Sequence, residues 1–276
     1  MKRKKKGNSR VATTGITISA AQQEYVKNYM VRLRKIKLYR FLILIVFIFL
    51  WEITTHFRIV NPFIFSSPSR IIECILTMAK DGSIFYHVGI TLLETLVGFV
   101  LVNAIGLLIA VILWWNESVS KVLEPYLVVL NSLPKSALAP VFIVWLGNNV
   151  KTIIVAAISV AIFGTIISLY TDFQGIEEDK IKLIKTLGGK KKDVLLKVVI
   201  PSNVPSIFSI MKVNIGLTLV GVIIGEFLAA KAGLGYLIIY GSQVFKLDWV
   251  MMSIVILCIV AGGLYQLLAT IEKKYR

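Results

Sequence analysis

The chain has 276 residues, 57% of them hydrophobic and only 17% charged, with a mean hydropathy of +0.79 and a formal net charge of +16. A water-soluble domain carries about a quarter charged residues, so this composition excludes a soluble globular protein and points to segments that cross a bilayer. The two cysteines, Cys74 and Cys258, stand alone, and the two histidines, His56 and His87, lie near the outer ends of apolar segments. No metal-ligand spacing results, so no metal or cofactor is expected; the cysteines read as apolar packing residues and the histidines as structural ones.

Residues 1–18 are polar and basic and are expected to lack a packed structure. Ser19 and Gln22 fit a capping box at a helix start. Tyr25, Val26, Tyr29, Met30, Leu33 and Ile36 then recur at helical spacing, with Lys27, Arg32, Arg34 and Lys35 on the remaining faces. This pattern suits either a helix lying on an anionic leaflet or an extension of the first span, and both readings stay open. Residues 1–40 therefore form a basic N-terminal segment, and 41–276 a six-helix transmembrane domain.

Six apolar blocks follow, at 41–59, 88–115, 122–146, 152–170, 207–230 and 249–270. Each approaches the roughly 20 residues that a helix needs to cross the hydrocarbon. The short alternating runs of barrel strands are absent, so the fold class is all-α. The first apolar run begins too far from the start, with no small-x-small pattern after it, for a cleaved signal peptide. Twelve of the 31 Lys and Arg fall in residues 1–40, seven in 180–197 and three after residue 272. With six spans these regions share one side, and the positive-inside rule places both termini in the cytoplasm. The same distribution accounts for the net charge without nucleic acid as a partner.

Between the first two spans, Asn61-Pro62 and the run Ser66-Ser67-Pro68-Ser69 break the helix, and residues 70–79 form an amphipathic stretch too short to cross. Pro134 and Pro140 interrupt the third span. Such breaks are tolerated where the backbone lines a cavity or packs on protein; a plain kink is the other reading. Polar residues at membrane depth are costly unless buried against protein or water. Asn131, Ser132, Pro134, Lys135, Ser136 and Pro140 on the broken span, with Asn214 and Thr218 on the fifth, are thus the candidates for lining a path. Lys135 would suit an anion, or would snorkel or pair. Glu226, near the outer end of the fifth span, reads as structural or gating.

The connection 171–206 is the longest on the cytoplasmic side. Glu177, Glu178 and Asp179 sit where a helix start favours acids. Ile181, Ile184 and Leu187 form an apolar edge. Gly188-Gly189 should end that helix in a left-handed turn, and a second short helix over 191–200 should stop at Pro201. An elbow of this shape could present a knob to a partner or pack on its own spans.

Here a family resemblance enters. Gly188, Val198 and Ile200-Pro201 resemble the cytoplasmic loop signature of binding-protein-dependent ABC importer permeases, with Gly188 and Pro201 thirteen positions apart as that pattern requires. VPSIFSIMKVNIG after Pro201 and GEFLAAKAGLGYLI from Gly225 are similar to the family's fifth helix and its Glu and Gly-Leu-Gly end. LPKSALAPVFIVWLG, SSPSR and HVGITLLETLVGF are similar to the nitrate/sulfonate/taurine branch, and the resemblance covers about residues 50–272. It departs at Lys182, Leu183 and Ile184, which replace the signature's Glu-Ala-Ala. Glu94 stands where Arg is usual, and Lys135 where a second Pro is frequent. Glu94 and Lys135 could form a compensating pair.

The resemblance implies a type I ABC importer permease fold in the cytoplasmic membrane, coupled to a separate ATPase. Partners would be that ATPase at the elbow (Lys182, Leu183, Ile184, Gly188, Gly189, Val198, Pro201), an extracytoplasmic solute-binding protein, and a second permease copy, most simply a homodimer. The solute would be a sulfonate, taurine, nitrate or a vitamin precursor. The chain has no G-x-x-x-x-G-K-[ST] loop, so ATP hydrolysis is expected elsewhere and the chain is no enzyme. A passive channel or a membrane-embedded enzyme subunit are the rivals.

Overall fold

The computed structural model describes residues 20–275, so the expectations for residues 1–18 and for Ser19 as a cap lie outside the described residues. Every described regular element is helical. Helix α1 (Ala20–His56) is one unbroken helix of 37 residues, so its basic and apolar halves share one axis, as the reading of the basic half as an extension of the first span expects. A short turn α2 (Pro62–Phe65) and α3 (Pro68–Lys80) follow. Asn61 accepts from the Phe63 N–H at 3.0 Å and Ser67 from the Arg70 N–H at 3.4 Å, each followed by a proline pre-set for the first helical position. As expected of an amphipathic stretch, α3 buries Ile71 and Met78 and exposes Ile72, Glu73 and Leu76.

Helix α4 (Ser83–Trp115) crosses next, followed by α5 (Glu117–Ser132) and α6 (Lys135–Leu146), which meet at a 96° bend. The bend falls on Leu133-Pro134. Pro134 lacks an N–H, and its ring disfavours helical backbone at Leu133, which is extended at ψ 142°. Helix α7 (Val150–Gln174) starts at Asn149, whose side chain accepts from Lys151 and Thr152. Asn116 caps α5 in the same way. After α8 (Glu178–Thr186) and the single turn α9 (Lys191–Val194), a π-turn at Leu195–Val199 leads into α10 (Ile200–Ala229). Helices α11 (Leu234–Gln243) and α12 (Leu247–Tyr275) complete the chain.

The stop expected at Pro201 is not there. The Ile200 N–H reaches back to the Leu195 carbonyl, and this widened turn carries the helix past the proline. Lys191–Ala229 is consequently one rod of 39 residues.

Among the described residues, four helices are long and apolar enough to cross a membrane, and a fifth span results if the bent α5–α6 pair is counted as one. Helix α1 adds the apolar run 41–50, all of it exposed on the outside of the bundle. The core is the packing of α7 against α4 and α10. Small residues allow this closeness: a Cβ on Gly221 would stand 2.6 Å from the Ala157 Cα. Two apolar clusters mark the bundle's ends. One joins Leu113, Phe173, Val194 and Val199; the other joins Ile71, Ile84, Leu234 and Met252. At the second end, Arg70 of α3 pairs with Asp248 of α12 at 2.7 Å, and Ser66 donates to the same carboxylate at 2.7 Å. Cys74 packs in this cluster, whereas Cys258 is exposed on α12, so the packing role expected of it fails.

Candidate functional site

Three places hold the functional candidates: the elbow, the α5–α6 break and the far end of α10. In the elbow, α8 starts on acids and ends on Lys185, an order that suits the helix dipole. Three exposed ion pairs run along it: Lys180–Glu177 at 3.3 Å, Lys182–Glu178 at 3.0 Å and Lys182–Asp179 at 3.7 Å. Lys182, at the place of the family's acidic residue, is thus engaged within α8. Gly188 takes a φ of +81°. Its N–H donates to Lys185 at 3.0 Å and that of Gly189 to Ile184 at 2.9 Å, the paired bonds of a Schellman ending. The two glycines are needed for different reasons. Around Gly188 there is open space and only the backbone angle is demanding; at Gly189 a Cβ would stand 2.5 Å from Ile184 Cγ2 and 2.8 Å from its carbonyl oxygen.

The apolar edge of α8 divides. Ile181 and Ile184 pack against the core cluster, while Leu183 and Leu187 are 59% and 75% exposed. Val198 is buried and Pro201 exposed. On the following turn the Lys190 N–H donates to Asp193 at 2.9 Å. Lys191 ties the elbow to the α4–α5 corner: its ammonium donates to the Trp115 carbonyl at 2.6 Å and lies 5.6 and 5.7 Å from the Trp114 and Trp115 ring centres. A cavity of about 400 Å³ lies there, lined by Trp114, Glu117, Tyr170, Lys185 and Lys191 among others. Sequence reasoning missed this anchor; tryptophans ending one span and a lysine 76 positions later carry no local signal.

At the break, Asn131, Ser132, Pro134, Ser136 and Pro140 are exposed and Lys135 is half-buried. Ser132 donates to the Val128 carbonyl at 2.9 Å, and the Lys135 ammonium donates to the Asn131 carbonyl. The residues proposed from α10 are placed differently. Asn214 is buried, donating to Asn103 at 2.9 Å and accepting from Thr165 at 3.0 Å, so it ties α10 to α4 and α7. It also lines a cavity of about 200 Å³ with Thr165, Ser168 and Ser209. Thr218 is fully buried with no hydrogen-bond partner for its hydroxyl among the described residues. The break residues lie together, and Asn131 stands beside Gly164 of α7, which lines the same small cavity as Asn214.

Glu226 lies at 0% exposure where α10 turns back into α11. Its carboxylate accepts from the Thr91 hydroxyl at 2.7 Å and the Gly235 N–H at 2.5 Å. Thr91 in turn accepts from the Leu234 N–H at 2.8 Å, and His87 Nδ1 accepts from the Gly233 N–H at 3.0 Å. The start of α11 is therefore held by side chains of α4 and α10. Only glycine fits beside the carboxylate, since a Cβ on Gly235 would stand 2.7 Å from Glu226 Oε2. His87 is structural, as expected, and stacks on Tyr236 with ring centres 6.1 Å apart.

Glu94, 1% exposed, lies beside Glu226. Its Oε2 has no partner among the described residues, and the residue lines a cavity of about 280 Å³ with Tyr86, Asn148, Asn149 and Lys231. The suggested pairing of Glu94 with Lys135 is therefore corrected: no ion pair joins them, and each has another neighbour. The substitution that departs from the family lies beside the family's own glutamate, a proximity between residues 94 and 226 that spacing could not reveal.

Comparison with known proteins follows the same lines. The family described as "Binding-protein-dependent transport system inner membrane component" matches residues 102–271. The formylaminopyrimidine transport permease protein ThiX of Halalkalibacterium halodurans is 27% identical over 187 residues, 68% of this chain and 74% of that protein. The putative aliphatic sulfonates transport permease protein SsuC of Bacillus subtilis is 24% identical over 83% of each chain. The taurine transport system permease protein TauC of Escherichia coli is 21% identical over 79% of this chain and 81% of its own. Among solved structures, an inward-facing MetNI methionine ABC transporter matches with a TM-score of 0.63 at 18% identity, over 70% of this chain and 96% of that one.

Proposed function

This chain belongs to the family of binding-protein-dependent transport system inner membrane components, and we propose that it forms, with a second copy of itself, the translocation path for a small anionic or zwitterionic organic solute. It is a membrane-spanning ABC importer permease of the type I fold and not an enzyme. The finer assignment of the solute rests on relatives named for sulfonates, taurine and formylaminopyrimidine. Lys135 on the broken span supports an anionic group, because a fixed cation at membrane depth is costly unless something compensates it.

The observation that carries the coupling role is the elbow. A nine-residue helix, held at one end by a Schellman turn and at the other by acids, exposes Leu183 and Leu187 while Ile181 and Ile184 grip the bundle. We assign Lys182, Leu183, Ile184, Gly188, Gly189, Val198 and Pro201 to the surface and frame on which the ATPase docks. The rod Lys191–Ala229 then transmits movement of the elbow to the opposite end of the bundle. There the Glu226 junction ties α10 to α4 and α11. The basic residues of 1–40 and 180–197 put both termini and the elbow in the cytoplasm by the positive-inside rule, and the solute-binding protein on the side of α3 and α11.

The test is uptake into vesicles that hold the permease, its ATPase and its solute-binding protein, with taurine, an alkanesulfonate, nitrate and a formylaminopyrimidine as competing solutes. ATP-dependent accumulation of one of them from the binding protein supports the assignment. Flux without ATP would identify a passive channel instead.

A further inference from the structure

Helix α1 rises about 1.5 Å per residue, so its 37 residues reach about 55 Å, well beyond the roughly 30 Å of bilayer hydrocarbon. Its apolar run begins at Phe41, and the excess length precedes it. That excess carries Lys27, Arg32, Arg34, Lys35, Lys37 and Arg40 against a single acid, Glu24. All six cations are exposed, and none takes part in an ion pair among the described residues. At 3.6 residues per turn the six positions surround the helix, with no gap wider than about 80°.

Lys37 and Arg40 lie within about 6 Å of the apolar boundary, inside the roughly 5–8 Å of headgroup region, and Arg32, Arg34 and Lys35 lie about 9–14 Å out, from where long side chains reach back to it. Tyr39 is exposed at this boundary, as amphipathic rings are at a membrane border. The rest of the protein leaves this part of α1 free, since α1 packs chiefly on α2 and α3 near its other end.

From this geometry we infer that residues 27–40 of α1 form a cationic collar that binds the phosphate groups of anionic phospholipids in the leaflet around it. A protein partner covers one face of a helix and would leave half of these cations unpaired. Lipid surrounds the helix on every side, and only a ligand that does so matches charges spread through the full turn. Juxtamembrane clusters of four to eight Lys and Arg are the ordinary means of holding anionic headgroups. The inference needs α1 to cross the bilayer but no particular solute, so failed uptake assays would leave it standing.

The test uses the full-length protein in nanodiscs made of equal parts phosphatidylcholine and phosphatidylglycerol, with retained lipids counted by native mass spectrometry. Phosphatidylglycerol should be retained in excess, and the excess should fall as salt is raised, because headgroup attraction is screened. Replacing Arg32, Arg34, Lys35, Lys37 and Arg40 with Gln should weaken the preference, by about fivefold for each charge at low salt. Exchanging Arg for Lys and Lys for Arg at these positions should retain it. The Gln variant could insert in the reverse sense, so the salt titration on the unaltered protein carries the test alone. Retention of the two lipids in proportion to supply would overturn the inference. So would a Gln variant that keeps its lipid preference but loses its ATPase, which would mark the collar as a protein-docking surface.

Discussion

Replacing Gly188 with Val isolates the elbow from the rest of the molecule. Gly188 sits at φ +81° with nothing near its missing Cβ, so the substitution meets no steric contact and acts through the backbone alone. A left-handed conformation costs an L-residue roughly 1–2 kcal/mol, with a β-branched side chain at the upper end. If the turn relaxes, the two Schellman bonds at Lys185 and Ile184 are weakened as well, each worth about 0.5–1.5 kcal/mol net. A nine-residue helix has almost no stability of its own, so about 2 kcal/mol lowers the population of the docked elbow by a factor near 30. The membrane bundle does not share this cost, because α4, α7 and α10 pack without the elbow.

Gly188→Val should therefore reach the membrane in normal amount, with ATPase co-purification and ATP-driven uptake reduced at least tenfold. Gly188→Asn, which tolerates the left-handed region, should stay within about threefold of the unaltered protein. Gly189→Ala should fail for the other reason, since its Cβ collides with the Ile184 carbonyl that accepts the closing hydrogen bond. ATPase binding and uptake both at the unaltered level in Gly188→Val and Gly189→Ala would refute the coupling assignment and leave the elbow an ordinary loop.

Further expectations concern the other two places and the topology. Lys135→Ala should depress uptake of an anionic solute with little change in the stability of the purified complex, and Lys135→Arg should retain more activity; unchanged uptake in Lys135→Ala leaves that lysine as a helix-end donor to Asn131. Glu226→Ala strands the Thr91 hydroxyl and the Gly235 N–H without acceptors, at about 1–3 kcal/mol each, so thermal unfolding in detergent should shift down by several degrees; an unshifted transition would show that the junction does not hold α11. Lys191→Gln should loosen the elbow from Trp114 and Trp115, seen as faster hydrogen exchange over residues 178–194 with slow exchange kept in α7. Burial, reinforced by the Asp248 carboxylate, raises the Cys74 thiol above its ordinary pKa. An impermeant maleimide added outside should thus label it slowly near neutral pH and faster as pH rises, because the thiolate is the reactive form. Labelling only after the inner face is opened would reverse the proposed topology. Cys258, exposed on α12 within the span, should react only with a membrane-permeant reagent.

Much of the fold was legible in the sequence because its signals are local. Apolar block lengths marked four of the six expected spans as long apolar helices, Pro134 marked the break, and Gly188-Gly189 marked the end of α8, each through a constraint acting within a few residues. The extension of α1 and the passage of α10 through Pro201 were not legible. A continuous helix and a stopped one share the same pattern, and only the Ile200 to Leu195 hydrogen bond shows that the π-turn absorbs the proline.

The candidate site divides in the same way. Sequence alone determined that the chain lives in a membrane, that it resembles an importer permease, and that the elbow and the broken span are its unusual places. It also singled out Glu94 and Glu226 separately, one as a departure and one as part of a motif. Only the tertiary structure decided that these two carboxyl groups lie together, that Lys135 has another partner, that Asn214 braces the bundle, and that Lys191 pins the elbow to two tryptophans. The physical reason is distance along the chain. Helical periodicity fixes which residues share a face, but which faces meet is set by close packing of small residues such as Gly221 on Ala157, and that contact spans 64 positions.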